Sequence, residues 1–289
     1  MSSKNSTTPC PDWATALLNG FSQVLLQRNP LCGLCCLLAI LLTAPQLVGG
    51  ALLGALAGLL TAQRRGYDRA DRQAGLYSYN GVLTGILFSH VLPWSMILPP
   101  LIIAAGGLSS ILVHQWLKRG SPAYTAPFVL LGWGALLLAG PAAANLPVEP
   151  SPLHALARGL GQVFLLDKPL AGLLIAMGLF IADRHAALWA LLGSAIGGSL
   201  ALLAGETAMA WHGLLGFNAA LAALAFSHHR GQPWLPLLAI SLALALQPVV
   251  ERLPMPGLTA PFVLACWLLH LGARRAPTGR RESDRRLHS

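Results

Sequence analysis

The sequence predicts an all-α polytopic membrane protein made of two inverted repeats. Each repeat holds five transmembrane helices plus one half-spanning helix, about ten spans in all. Three observations predict this. Charged residues are 10% of the chain and apolar ones 55%, with a mean hydropathy of +0.61, whereas a soluble domain carries about 25% charged residues. The apolar runs are rich in Leu, Ala and Gly without the period-two alternation of a membrane barrel, so the spans are helices. The chain also repeats itself: Gln23-Val24 returns as Gln162-Val163, Tyr79-Asn80 as Phe217-Asn218, and Thr125-Ala126-Pro127-Phe128 as Thr259-Ala260-Pro261-Phe262. The offsets are 139, 138 and 134 residues, and duplicated membrane units place a pathway at their interface, near the bilayer midplane.

Taken in order, residues 1–13 form a polar tail. It has a single Lys4 and no basic region leading into a short apolar run, so it is not read as a cleavable signal. The first repeat, 14–146, holds apolar stretches at 14–29, 31–44, 46–62, 75–90, 96–117 and 125–143. Pro30, Pro45, an arginine-rich loop at 63–72, Pro93 and the run from Lys118 to Pro122 separate them. A proline-bearing linker at 147–152 leads to the second repeat, 153–272, with stretches at 153–167, 169–182, 186–204, 211–227, 234–250 and 258–272. A basic tail, 273–289, follows, and the whole reads as one integrated membrane domain.

Loop charges orient the spans. The 63–72 loop carries Arg64, Arg65, Arg69 and Arg72, which places it in the cytoplasm, while its counterpart near 201–210 has no basic residue. The Pro45 region and the turn at 91–94 carry none, yet their counterparts hold Arg184 and Arg230. Matching loops on opposite faces are what inverted repeats require. Lys118-Arg119 and the tail arginines then lie inside, giving a multi-pass protein of a bacterial-type inner membrane with both termini cytoplasmic. The linker is outside and Arg184 inside, so an odd number of crossings separates them, although two apolar stretches intervene. The stretch 153–167 is shorter than the ~20 residues a span needs. It, and by symmetry 14–29, is expected to be half-spanning, with the Thr-Ala-Pro-Phe region as the other candidate.

Several function classes are excluded. The net charge of +9 is concentrated in Arg274, Arg275, Arg280, Arg281, Arg285 and Arg286, a juxtamembrane anchor rather than a nucleic-acid surface. Cys32-x-x-Cys35 lies in an apolar run without histidine or acidic partners. Cys10, Cys32, Cys35, Cys36 and Cys266 are therefore expected to be small buried hydrophobes, with no disulfide and no metal. No catalytic signature is present: neither His-Glu-x-x-His, nor Gly-x-Ser-x-Gly, nor clustered carboxylates. No enzyme, catalytic residue or cofactor is expected. Ion-coupled carriers need ionisable groups inside the membrane, but Glu206 and Glu251 fall near helix ends, Asp183 in a turn, and the histidines at span edges. His90 and His212, at unmatched positions, keep an ammonia channel open as an alternative.

What the halves share is neutral and polar. Gln23 and Gln162, Asn80 and Asn218, and Thr125 and Thr259 can all donate and accept hydrogen bonds. Pro127 and Pro261 are expected to free backbone carbonyls beside the threonines, and Tyr79 and Phe217 supply flat faces. A pore of these parts suits a small planar polar solute without net charge. The same side chains also join membrane helices to one another. For the glutamines and threonines both readings stay open; for the asparagines the structural role is preferred.

These residues resemble a known family. The two Thr-Ala-Pro-Phe segments are similar to the Leu-Pro-x-x-Thr-x-Pro-Phe signature of urea transporters. The segments at 75–83 and 213–221 resemble that family's Gly-Leu-x-Gly-(Phe/Tyr)-Asn pair. Gln23-Val24 with Asn29-Pro30, and Gln162-Val163 with Pro169, resemble its Gln-Val…Asn-Pro segments. The likeness spans nearly all of 14–272. It implies passive, channel-like urea conduction in a homotrimer with one pore per protomer, embedded in a lipid bilayer. Carried over, Gln23 and Gln162 stand at the two ends of a slot and Thr125 and Thr259 line it. Tyr79, Leu83, Phe217 and Leu221 form its walls. The signature's leucine is Ser121 in one copy and Met255 in the other, and Leu26 and Leu165 stand where an aromatic residue is common. A looser slot would follow, with a short-chain amide or ammonia channel as the alternative.

Overall fold

The computed structural model describes residues 12–139 and 149–275, and the described residues are helical throughout, joined by turns. The first group of helices is α1 (Asp12–Gln23), α2 (Pro30–Thr43), α3 (Val48–Arg64), α4 (Arg69–Gln73), α5 (Tyr79–Val91), α6 (Leu98–Lys118) and α7 (Ala126–Ala139). The second is α8 (Pro152–Gly161), α9 (Pro169–Ala182), α10 (Arg184–Leu203), α11 (Thr207–Trp211), α12 (Gly216–Phe226), α13 (Trp234–Val250) and α14 (Ala260–Arg275). Residues 147–148 of the predicted linker, most of the basic tail, and Cys10 lie outside the described residues.

Local chemistry sets the breaks. Asn29 accepts the N–H groups of Leu31 and Cys32 to cap α2, whose first residue is Pro30. Ser151 caps α8 before Pro152, and Asp183 caps α10 through His185 and Ala186. Each arrangement satisfies N–H groups that a helix start leaves open. Burial works to raise the Asp183 carboxyl, but these two N–H donors and Arg230 outweigh it and hold it below the usual carboxylate range.

Among the described residues three segments are long and apolar enough to cross a membrane: Pro45–Arg64, Leu98–Lys118 and Arg184–Leu203. The first begins with a short tight turn at Pro45–Leu47, and α2 ends at Thr43 just before it, so the break expected at Pro45 is present. The stretch 153–167 is not a span of its own: α8 and its trailing turn meet α9 at 77°. Five further apolar helices are 10–17 residues long.

The halves join through α2 against α9, while α3 packs on α5 and α6, and α10 on α12. Close approach needs small residues. A Cβ on Gly33 would meet the Leu18 carbonyl of α1, and one on Gly172 the Ala157 carbonyl of α8. One continuous core runs through both halves, from Phe21 and Phe128 to Phe164 and Phe262. Cys32, Cys35, Cys36 and Cys266 are buried free thiols within the helices.

Candidate functional site

Four non-glycine residues among those described have left-handed backbone: Leu26, Tyr124, Leu165 and Leu258, with φ of 57°, 45°, 58° and 47°. They fall into two matched pairs, at the turns after α1 and α8 and at the residues before Thr125 and Thr259. This conformation costs such side chains roughly 1–2 kcal/mol each, so neighbouring contacts must hold it. Strained backbone of this kind concentrates at ligand sites.

At Tyr124 and Leu258 the contacts that hold it come from the asparagines. Asn80 donates Nδ2–H to the Tyr124 carbonyl at 3.1 Å and accepts the Phe128 N–H on Oδ1 at 3.0 Å. Asn218 does the same in the other half, to the Leu258 carbonyl at 3.1 Å and from the Phe262 N–H at 3.4 Å. Each therefore clamps a left-handed turn and satisfies an open N–H in the first turn of α7 or α14. Pro127 and Pro261 occupy the second position of those helices, where a missing N–H costs nothing. The expectation that these prolines free the carbonyls is corrected here: the left-handed residues upstream turn them out.

The clamped turns present Thr125 and Thr259 to one another. Their Oγ1 atoms are 2.6 Å apart, with the residues 2% and 3% exposed. One hydroxyl donates to the other, which leaves one hydrogen and free lone pairs for a third partner. The halves differ around this pair. Tyr79 donates its hydroxyl to the Tyr124 carbonyl at 2.5 Å, so that oxygen carries two donors. Phe217 has no hydroxyl to give, and Asn218 Nδ2 is shared between the Leu258 carbonyl and Gln247 Oε1, the latter at 3.0 Å.

A cleft of about 320 Å³ opens against the second half. It is lined by Gln162, Leu165, Phe217 and Thr259, together with Phe128, Gln247 and Glu251. Four of the five second-half candidates thus share one cavity, and the fifth, Leu221, is buried one helical turn beyond Phe217. Gln162 donates Nε2–H to the His212 carbonyl at 3.2 Å, which leaves its oxygen for a solute. In the first half Tyr79 and Thr125 meet through Tyr124, Leu83 is buried in the same core, and Gln23 and Leu26 are partly buried at the turn after α1.

Sequence reasoning missed Tyr124, Leu258, Gln247 and Arg158, and set Glu251 aside as a helix-end residue. Gln247 donates to Glu251 at 2.7 Å and so links the cleft's carboxylate to Asn218. Arg158 is 8% exposed and donates to the carbonyls of Asp167 and Trp211, both at 3.0 Å. Its repeat equivalent, Asn19, donates to the Gln73 carbonyl at 2.7 Å, and the 139-residue offset between them was the available signal. Among the described residues no three His, Cys, Asp or Glu side chains gather as metal ligands would.

Comparison with known proteins bears on this geometry. The family model described as urea transporter matches residues 14–274. Urea transporter 1 of Ovis aries is 28% identical over 305 residues, covering 92% of this chain and 78% of the relative. Urea transporter 1 of Rattus norvegicus is 29% identical over 243 residues, and that of Mus musculus 30% over 247. Each of these two alignments covers 74% of this chain and 62% of the relative.

Proposed function

The chain belongs to the urea transporter family, and we infer from that premise and from the threonine pair that it conducts urea passively across the membrane. The amide and ammonia alternative is not carried forward, because the family and each relative reported are urea transporters. The observation that carries the reading is the buried pair of hydroxyls at 2.6 Å between two matched helix starts. Around it we place two inverted repeats with about ten spans, in a bacterial-type inner membrane with both termini cytoplasmic, as a homotrimer with one slot per protomer.

In this arrangement urea meets Gln162 in the second-half cleft or Gln23 at the other end. It gives its N–H groups to the glutamine oxygen, then to the Leu258 carbonyl and the threonine hydroxyls. Four donors in one plane are satisfied in succession by a row of acceptors, so no single site becomes a deep well. Phe217 and Leu165, with Tyr79, Leu83, Leu221 and Leu26, keep the solute flat, and their apolar surface gives a hydrated ion nothing in exchange for its water. Leu26 and Leu165 stand on the strained turns and take up wall positions there. Nothing in the row has to gain or lose a proton, which fits passive flow.

The experiment is urea flux into proteoliposomes by stopped-flow light scattering. Flux should be fast, should not saturate in the millimolar range and should be indifferent to sodium and proton gradients. Flux no greater than in protein-free vesicles overturns the reading.

A further inference from the structure

On the far side of α7 and α14 from the cleft lies a second built feature. Ala126, Val129, Leu130 and Trp133 of α7, with their counterparts 134 positions on in α14, line a cavity of about 270 Å³. These positions share one helical face, and Phe128, which lines the cleft, lies on the opposite face of α7. The cavity is therefore backed by Ala126 and Ala260, the residues that follow the paired threonines. Tryptophans frame it and are fixed in place: Trp133 Nε1 donates to the Pro256 carbonyl at 3.0 Å and Trp267 Nε1 to the Pro122 carbonyl at 2.9 Å.

This apolar cavity adjoins another of about 230 Å³, Trp116 and Trp267 lining both, their rings stacked with centroids 6.0 Å apart. The chemistry changes there. Arg119, Ser121 and His270 line the second cavity, and Lys118 ends α6 beside it. His270 Nε2 lies 2.8 Å from the Tyr124 hydroxyl. The groove thus has an apolar length within the helices, an aromatic collar, and a cationic, hydrogen-bonding end.

We propose that this groove binds one anionic phospholipid, its phosphate held by Arg119, Ser121 and His270 and one acyl chain lying past Trp116 and Trp267 onto Ala126 and Ala260. In a membrane protein hydrocarbon is the medium around such a face, so the apolar length takes a chain rather than water. Charge complementarity selects an anionic headgroup over a zwitterionic one, and tryptophans at such a junction suit the boundary between chain and headgroup. The assignment does not depend on which solute passes through the slot.

The groove carries its own reporters. The full-length protein is placed in phosphatidylcholine vesicles with increasing fractions of brominated phosphatidylglycerol or, in parallel, brominated phosphatidylcholine, and tryptophan quenching is followed. Brominated phosphatidylglycerol should half-saturate quenching at a fraction roughly fivefold lower, the preference expected from one arginine near an anionic headgroup. Arg119→Gln should abolish that preference and Arg119→Lys keep most of it, with elution volume and helicity unchanged. Trp116→Phe combined with Trp133→Phe and Trp267→Phe should remove the preferential component of quenching. Equal quenching by the two lipids overturns the proposal, as does a preference that survives Arg119→Gln or the loss of all three tryptophans. So does competition by millimolar inorganic phosphate, which would mark a site for a free anion. Cross-linking of Leu264→Cys between two protomers would show a second copy in the groove and overturn it equally.

Discussion

Replacing both threonines should be gentler on the fold than replacing either one, yet harder on transport. Thr125 and Thr259 are each less than 4% exposed, and the 2.6 Å bond between their hydroxyls is the one each is seen to make. Valine keeps the shape and removes the oxygen. In Thr125→Val the surviving Thr259 hydroxyl is buried without its partner, a loss of about 1–3 kcal/mol. In the double variant both polar groups are gone, and replacing both partners by apolar groups of the same shape is nearly neutral. Thermal unfolding in detergent should therefore rank the double variant above both single variants. Flux should follow the opposite order. One solute hydrogen bond lost at the narrowest point raises the barrier by roughly 1–1.5 kcal/mol, about tenfold in rate, and the double variant loses two. Wild-type flux in the double variant would make the threonines helix glue alone. Additive destabilisation would show that each hydroxyl acts through some other partner.

Asn218→Leu breaks the clamp on Leu258 and opens the first turn of α14, so it should destabilise by about 2–4 kcal/mol in thermal unfolding and cut urea flux. Gly172→Ala drives a Cβ into the Ala157 carbonyl and should cost about 1–3 kcal/mol by forcing α8 and α9 apart, again read by thermal unfolding. The depressed Asp183 carboxyl stabilises the fold above its unfolded value. That contribution should fade as pH falls below about 4 through the folded value, and Asp183→Asn should flatten the acid limb of the stability profile. Asp68→Cys should react with impermeant maleimide only from the cytoplasmic side. Reaction from outside alone would reverse the assigned orientation.

The helix order was legible because its causes are local. Prolines, an asparagine cap and arginine-rich turns mark most breaks within a few residues of where α2, α6 and α9 begin. The polar side chains of the threonine pair and its asparagine clamps were legible because they occur twice. What stayed hidden depends on backbone conformation. Nothing in a leucine announces that Leu258 or Leu165 will sit at positive φ, since its side chain argues against it. Pro127 was assigned the wrong task for the same reason: a proline in an apolar run looks like an interruption until the helix is seen to start one residue earlier. The Gln247–Glu251 pair escaped because its partner, Asn218, lies 29 residues away from Gln247, and the matching stretch of α6 carries no such pair.

The two ends of the threonine pair are unequal, and the inequality bears on where a solute rests. The Tyr124 carbonyl already accepts from the Tyr79 hydroxyl and from Asn80. A carbonyl oxygen has two lone pairs, so this one has no further acceptor capacity to offer. The Leu258 carbonyl accepts from Asn218, and that same Nδ2 group also serves Gln247. One lone pair is left, and Leu258 lines the same cleft that Phe217 lines with a bare ring. The row of acceptors is therefore longer on the second-half side, where Gln162, the Leu258 carbonyl and Thr259 follow one another. On the first-half side of the proposed slot, the carbonyl between Gln23 and Thr125 is already taken. The single hydroxyl that distinguishes Tyr79 from Phe217 thus shifts the favoured resting place toward the second half, although the two Thr-Ala-Pro-Phe segments are identical.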